Sequence, residues 1–115
     1  MHTTKRQLLR ASMLAMAFVV AASHAASAQE TSLQVTVENG QFSPAELRAP
    51  ANKPILITIK NNGAKAMEFE SVSLRVEKVV AAKSQGTVRV RALSPGRYEF
   101  FDDFNKATRG TLIVE

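Results

Sequence analysis

Apolar and polar residues alternate along most of this chain with a period of two. In Leu33-Gln34-Val35-Thr36-Val37 the apolar side chains fall on one face and the polar ones on the other, as in a half-buried strand. Ile55-Leu56-Ile57-Thr58-Ile59 repeats the pattern, with Leu56 making the second face partly apolar. Thr87-Val88-Arg89-Val90-Arg91 alternates cleanly, and Thr111-Leu112-Ile113-Val114 is an apolar run suited to a buried strand. Shorter strands are predicted around 46–48, 67–72, 78–80 and 98–101. Beyond residue 28 no stretch keeps a 3.6-residue apolar period over three turns, so no helix is expected there.

The punctuation agrees with strands. Asn39-Gly40, Asn61-Asn62-Gly63 and Ser94-Pro95-Gly96 are turn chemistry, in which Gly or Asn supplies positive φ and Pro95 presets a turn. Pro44, Pro50 and Pro54 fall between strands or at their starts, where a missing N–H is harmless. In Leu93-x-Pro95-Gly96-x-Tyr98, a turn precedes a tyrosine whose hydroxyl can bond back to it, the tyrosine corner of Greek-key sandwiches. The expected fold is therefore all-β, a Greek-key β-sandwich in one domain.

The first 28 residues follow a different rule. Lys5, Arg6 and Arg10 precede the apolar run from Ala11 to Ala22, and Ala26-Ser27-Ala28 has the small-x-small form of a signal-peptidase site. The run is too short to span a bilayer. Residues 1–28 read as a cleaved signal peptide and residues 29–115 as an exported domain without a transmembrane helix, which makes the expected location periplasmic. Cleavage removes three bases and no acid, so the net charge falls from +5 to +2. That is no polyanion-binding field, and nucleic acid is not an expected partner. The chain has no Cys, and His2 and His24 both leave with the leader. Thiolate and imidazole chemistry, including type 1 copper, zinc-thiolate sites and Ser-His or Cys-His catalysis, is thereby excluded.

Three segments together resemble the cupredoxin-like family, in particular its EfeO-type, ferrous-iron-transport-associated periplasmic members. They are Phe42-Ser43-Pro44-Ala45-Glu46-Leu47 with Pro50-Ala51-Asn52-Lys53-Pro54, then Met67-Glu68-Phe69-Glu70-Ser71 with Glu77-Lys78-Val79-Val80, then 93–104 running into Gly110-Thr111-Leu112-Ile113-Val114. The resemblance implies a metal site at one pole of the sandwich. In copper-binding relatives one ligand is a histidine just after the Asn-Asn-x-Gly-like turn, and Cys, His and Met follow in the loop between the last two strands. Here Met67 stands at the first histidine position and Asp102 about where the cysteine would be. Asn105 falls near the second histidine, and Thr108 or Arg109 near the methionine. Every usual copper ligand is replaced.

The candidate metal ligands are Met67, Glu68, Asp102, Asp103 and Asn105. Met67 shares a strand face with Phe69 and either reaches the pole or fills the core. Glu68 and Glu70 point the other way, placed to bridge a hard cation or to form a solvated face. Asp102 and Asp103 sit between Phe101 and Phe104, and two adjacent acids call for a cation, an arginine or open solvent. Carboxylates favour hard ions such as Fe(III), Mn(II) or Ca(II), and a lone thioether suits Cu(I), so the expected cofactor is an iron or copper ion. The resemblance implies a metal-handling component of an iron uptake system, copper-assisted or not, working with a periplasmic or membrane iron-transport protein. Without Cys or His, independent redox catalysis is not expected. A metal-free docking module and a ferroxidase subunit active only in complex are the alternatives.

Overall fold

The computed structural model describes residues 29–115; the expected signal peptide, residues 1–28, lies outside them. Nine strands run in chain order: β1 (Thr31–Glu38), β2 (Gln41–Ser43), β3 (Glu46–Ala49), β4 (Ile55–Asn61), β5 (Met67–Ser71), β6 (Val76–Val80), β7 (Ser84–Val90), β8 (Gly96–Asp102) and β9 (Asn105–Val114). They form two sheets, ordered β2-β1-β4-β7 and β3-β9-β8-β5-β6. Two pairings are parallel, β1 with β4 and β3 with β9, and the others are antiparallel. The expected all-β sandwich is found, with no helix among the described residues.

Alternation explains which face each strand buries. Ile55, Ile57 and Ile59 of β4 are fully buried between β1 and β7 and belong to one core with Leu112 and Phe100 of the second sheet. β-branched side chains suit this central position because their restricted χ1 packs well on a pleated surface. Phe69 and Phe100 stack at 5.0 Å, and Phe42 meets Phe100 edge-on at 5.0 Å, so three rings from three strands fill the centre. β2, absent from the sequence-based expectation, is only three residues long and exists to deliver Phe42 to that cluster.

The turns behave as their residues demand. Asn39 and Gly40 both take positive φ, 53° and 70°, and close the β1–β2 hairpin with the twist that a two-residue loop requires. The Tyr98 hydroxyl donates to the Ser94 carbonyl at 2.7 Å, closing the predicted corner. The bond lies on the solvent side, so its contribution is modest. Asn61, read from sequence as a turn residue, is instead the buried last residue of β4. Its amide donates to the carbonyls of Lys65, Val80 and Ala81 and accepts from the Gly63 N–H, tying the β4–β5 loop to the end of β6.

Candidate functional site

The largest departure from expectation is at the pole. A loop between the last two strands was expected to carry Asp102, Asp103 and Asn105. The structure has a tight hairpin instead, with Asp102 paired to Asn105 and only Asp103 and Phe104 in the turn. The Asp102 carboxylate is buried, and its Oδ1 accepts from the Phe104 N–H and the Glu68 N–H, both at 3.0 Å. The first bond closes the turn; the second ties the turn to β5. The Asp103 N–H completes the junction by donating to the Glu68 carbonyl at 2.9 Å. Asp102 therefore serves the backbone.

The other polar positions follow suit. Met67 is buried, only 2% exposed, and caps the core beside a cleft of about 370 Å³ that Asp102, Phe104 and Asn105 also line. Thr108 is in β9 and donates its hydroxyl to the Gly40 carbonyl at 2.7 Å. Arg109 lies over the Phe101 ring, 5.3 Å from its centroid. One buried thioether, one carboxylate already bonded to two N–H groups and one exposed amide do not make a type 1 copper site. The pole does not fit copper of that kind.

Glu68 and Asp103 are brought together elsewhere. Alternation along β5 turns Glu68 and Glu70 to the outer face of the five-stranded sheet, and the Asp103–Glu68 backbone bond sets the Asp103 side chain beside them. Ligand oxygens of Glu68, Glu70 and Asp103 all lie within 4.8 Å of one another. Glu77 stands directly opposite Glu70 on β6. The five candidate residues thus divide into Met67, Asp102 and Asn105 at the pole and Glu68 with Asp103 on the sheet face. The part played by Glu70, noticed in the sequence only as a partner of Glu68, is fully equal to theirs.

This crowding moves proton affinities. Burial, then the hydrogen bond and charge of Glu77, then the charges of Asp103 and Glu70 push the Glu68 carboxyl up to about 7. Burial first, then Asp103 and Glu77, also raises Glu70. The sign for stability follows from linkage. Folded, metal-free protein holds a proton on Glu68 that the unfolded chain releases near 4.5, so stability falls as pH rises from about 4.5 to 7 and levels off above. In a chelating buffer the thermal midpoint should be lower at pH 8 than at pH 5, and Glu68→Gln should flatten this slope. A parent midpoint that rises over that interval, or a slope that survives in Glu68→Gln, contradicts the assignment.

Comparison with known proteins places this geometry. A cupredoxin-like domain profile matches residues 10–114. The chain belongs to the cupredoxin-like family. The chain is 32% identical over 83 residues to uncharacterized protein RP394 of Rickettsia prowazekii (strain Madrid E), covering 71% of this chain and 66% of that protein, just under two thirds of its length. The cupredoxin fold is shared with auracyanin A, a blue copper protein of Chloroflexus aurantiacus, with a TM-score of 0.64 at 15% identity over 76% of this chain and 100% of that one. It is also shared with the metal-binding domain of the Cu(I)-exporting P-type ATPase CopA of Streptococcus pneumoniae D39, with Cu(I), at a TM-score of 0.62 and 15% identity over 76% and 97% of the chains. A chain of a heme-copper terminal oxidase dimer gives 0.66 at 15% identity over 78% and 67%. Among the described residues this cupredoxin has no helix long and apolar enough to cross a membrane.

Proposed function

We propose that this cupredoxin is a periplasmic metal-handling component of an iron uptake system that binds a hard metal ion and passes it to a membrane or periplasmic transport partner. The observation that carries the reading is the gathering of Glu68, Glu70 and Asp103 on a cupredoxin-like scaffold whose residues 29–115 include neither Cys nor His. An all-oxygen donor set selects hard cations over Cu(I). With neither thiolate nor imidazole in residues 29–115, the chain handles metal rather than oxidising it on its own.

The apolar rim of the pole favours a second reading, a metal-free docking module. Phe104 at the hairpin tip is 57% exposed and lines the cleft together with Val37, Ala64, Ala66 and Met67, which gives a partner an apolar edge to cover. Growth separates the two readings. A strain lacking the protein should grow poorly under iron limitation, recover when iron is added and fail to recover with copper. Growth equal to the parent under iron limitation contradicts the iron reading. A defect that iron cannot relieve favours docking.

A further inference from the structure

We propose that Arg97, Glu99 and Arg109 form a binding site for a small polycarboxylate that carries a hydrogen-bond donor between its carboxyl groups. The site lies on the outer face of the five-stranded sheet, in a cavity of about 430 Å³ lined by Val72, Ser73, Arg97, Glu99, Phe101 and Arg109. None of the candidate metal ligands lines it, so the inference goes beyond the metal-handling reading and does not depend on it.

The strands set out the charges. Phe100 and Asp102 of β8 are buried, so Arg97, Glu99 and Phe101 turn outward at the alternate positions. Arg109 of β9 stands directly opposite Phe101, with its guanidinium 5.3 Å from the ring centroid. The cavity therefore presents a positive, a negative and a positive group in order along the strand, their backbone positions about 7 Å apart by the two-residue repeat. Stacking on the aromatic face steadies the planar fork of Arg109 and leaves its edge N–H groups to a ligand. The opposite wall is also built. The Ser71 hydroxyl donates to the Glu99 carbonyl at 2.6 Å and accepts the Leu74 N–H at 3.1 Å, which fastens the turn carrying Val72 and Ser73 to β8. Arg91 donates to the carbonyls of Leu74 and Ser73 at 3.1 and 3.2 Å, holding the same turn from its far side. Val72 and Phe101 give the cavity an apolar lining for a carbon skeleton.

The charges at this cavity are unspent. Arg48 and Arg89 each pair with a carboxylate, and Arg91 is engaged by its two carbonyls. Among the described residues Arg97, Glu99 and Arg109 make no ion pair, although all three line one cavity. Guanidinium forks match carboxylates in bidentate fashion. Two forks at the ends take two carboxylates, and Glu99 between them accepts from a hydroxyl or an ammonium. A compact phosphate would set its whole charge beside Glu99, so like-charge repulsion selects against it.

The test is a calorimetric titration of metal-free protein with citrate, with tricarballylate (the same three carboxylates without the hydroxyl) and with inorganic phosphate. The parent should bind one citrate saturably, tricarballylate about tenfold more weakly and phosphate more weakly still. Arg97→Gln and Arg109→Gln should each weaken citrate at least about tenfold. Glu99→Ala should abolish the preference for citrate over tricarballylate, and Arg89→Gln on the other sheet should bind like the parent. All four side chains are exposed, so circular dichroism should show the variants folded. No saturable citrate binding by the parent, parental affinity in either cavity arginine variant, or an equal loss in Arg89→Gln overturns the site. Phosphate binding as tight as that of citrate, or a preference that survives Glu99→Ala, overturns the ligand class. No metal is present in the titration, so these outcomes leave the metal-handling reading to its own growth test.

Discussion

Gly110→Ala should destabilise the protein by about 3 kcal/mol, enough to lower the thermal midpoint of a domain this size by roughly 12–24 °C. Gly110 is buried in β9 directly opposite Phe100 of β8. A Cβ at this position would lie inside the van der Waals envelope of the Phe100 ring and 3.0 Å from the Ala45 carbonyl oxygen. Neither neighbour can yield. The Phe100 ring is fully buried between Phe42 and Phe69, and the Ala45 carbonyl accepts the Thr111 N–H. Because the clash is with one ring, Phe100→Leu should recover part of the loss when combined with Gly110→Ala, a coupling that separate denaturant melts of the two single variants and the double variant would read. A Gly110→Ala variant as stable as the parent would show that the strands can separate there without cost.

Asp102→Ala carries the second large effect, about 3 kcal/mol, since it removes the charged acceptor of two backbone N–H groups at about 1.5 kcal/mol each. Asp102→Asn keeps an acceptor oxygen and should cost less, about 1 kcal/mol. The loss should be local as well as global. Hydrogen exchange should quicken first at Glu68, Asp103 and Phe104, whose amides fasten the hairpin tip to β5. An Asp102→Ala midpoint within about 0.5 kcal/mol of the parent would return this carboxylate to the pool of free ligands.

Much of the fold was legible because period-two patterning requires no knowledge of neighbours. Val35, Val37, Ile55, Ile57, Ile59, Val88, Val90, Leu112 and Val114 all face the core as their spacing demands. The 67–72 strand ends one residue early, at Ser71, leaving Val72 79% exposed in the following turn. β2 escaped notice because one apolar residue, Phe42, makes no period. The hairpin at Asp103-Phe104 escaped for a different reason: it has no glycine, and its turn is closed by a side-chain bond from Asp102 instead of by backbone conformation. Half of the carboxylate site could be read, since Glu68 and Glu70 are two apart on one strand. The arrival of Asp103 could not, because it depends on β8 pairing with β5 in a register set by Phe69 opposite Asp102.

Paramagnetic broadening tests most directly whether the proposed hard ion is held on the sheet face by Glu68, Glu70 and Asp103 or at the pole. Backbone amide spectra of the protein should be recorded with substoichiometric Mn(II). Signals from Glu68, Glu70, Glu77 and Asp103 should broaden first, while Gly40, Gly63 and Ala64 at the pole cleft persist. Broadening that begins at Gly40 and Gly63 and spares Glu70 and Glu77 would contradict the account.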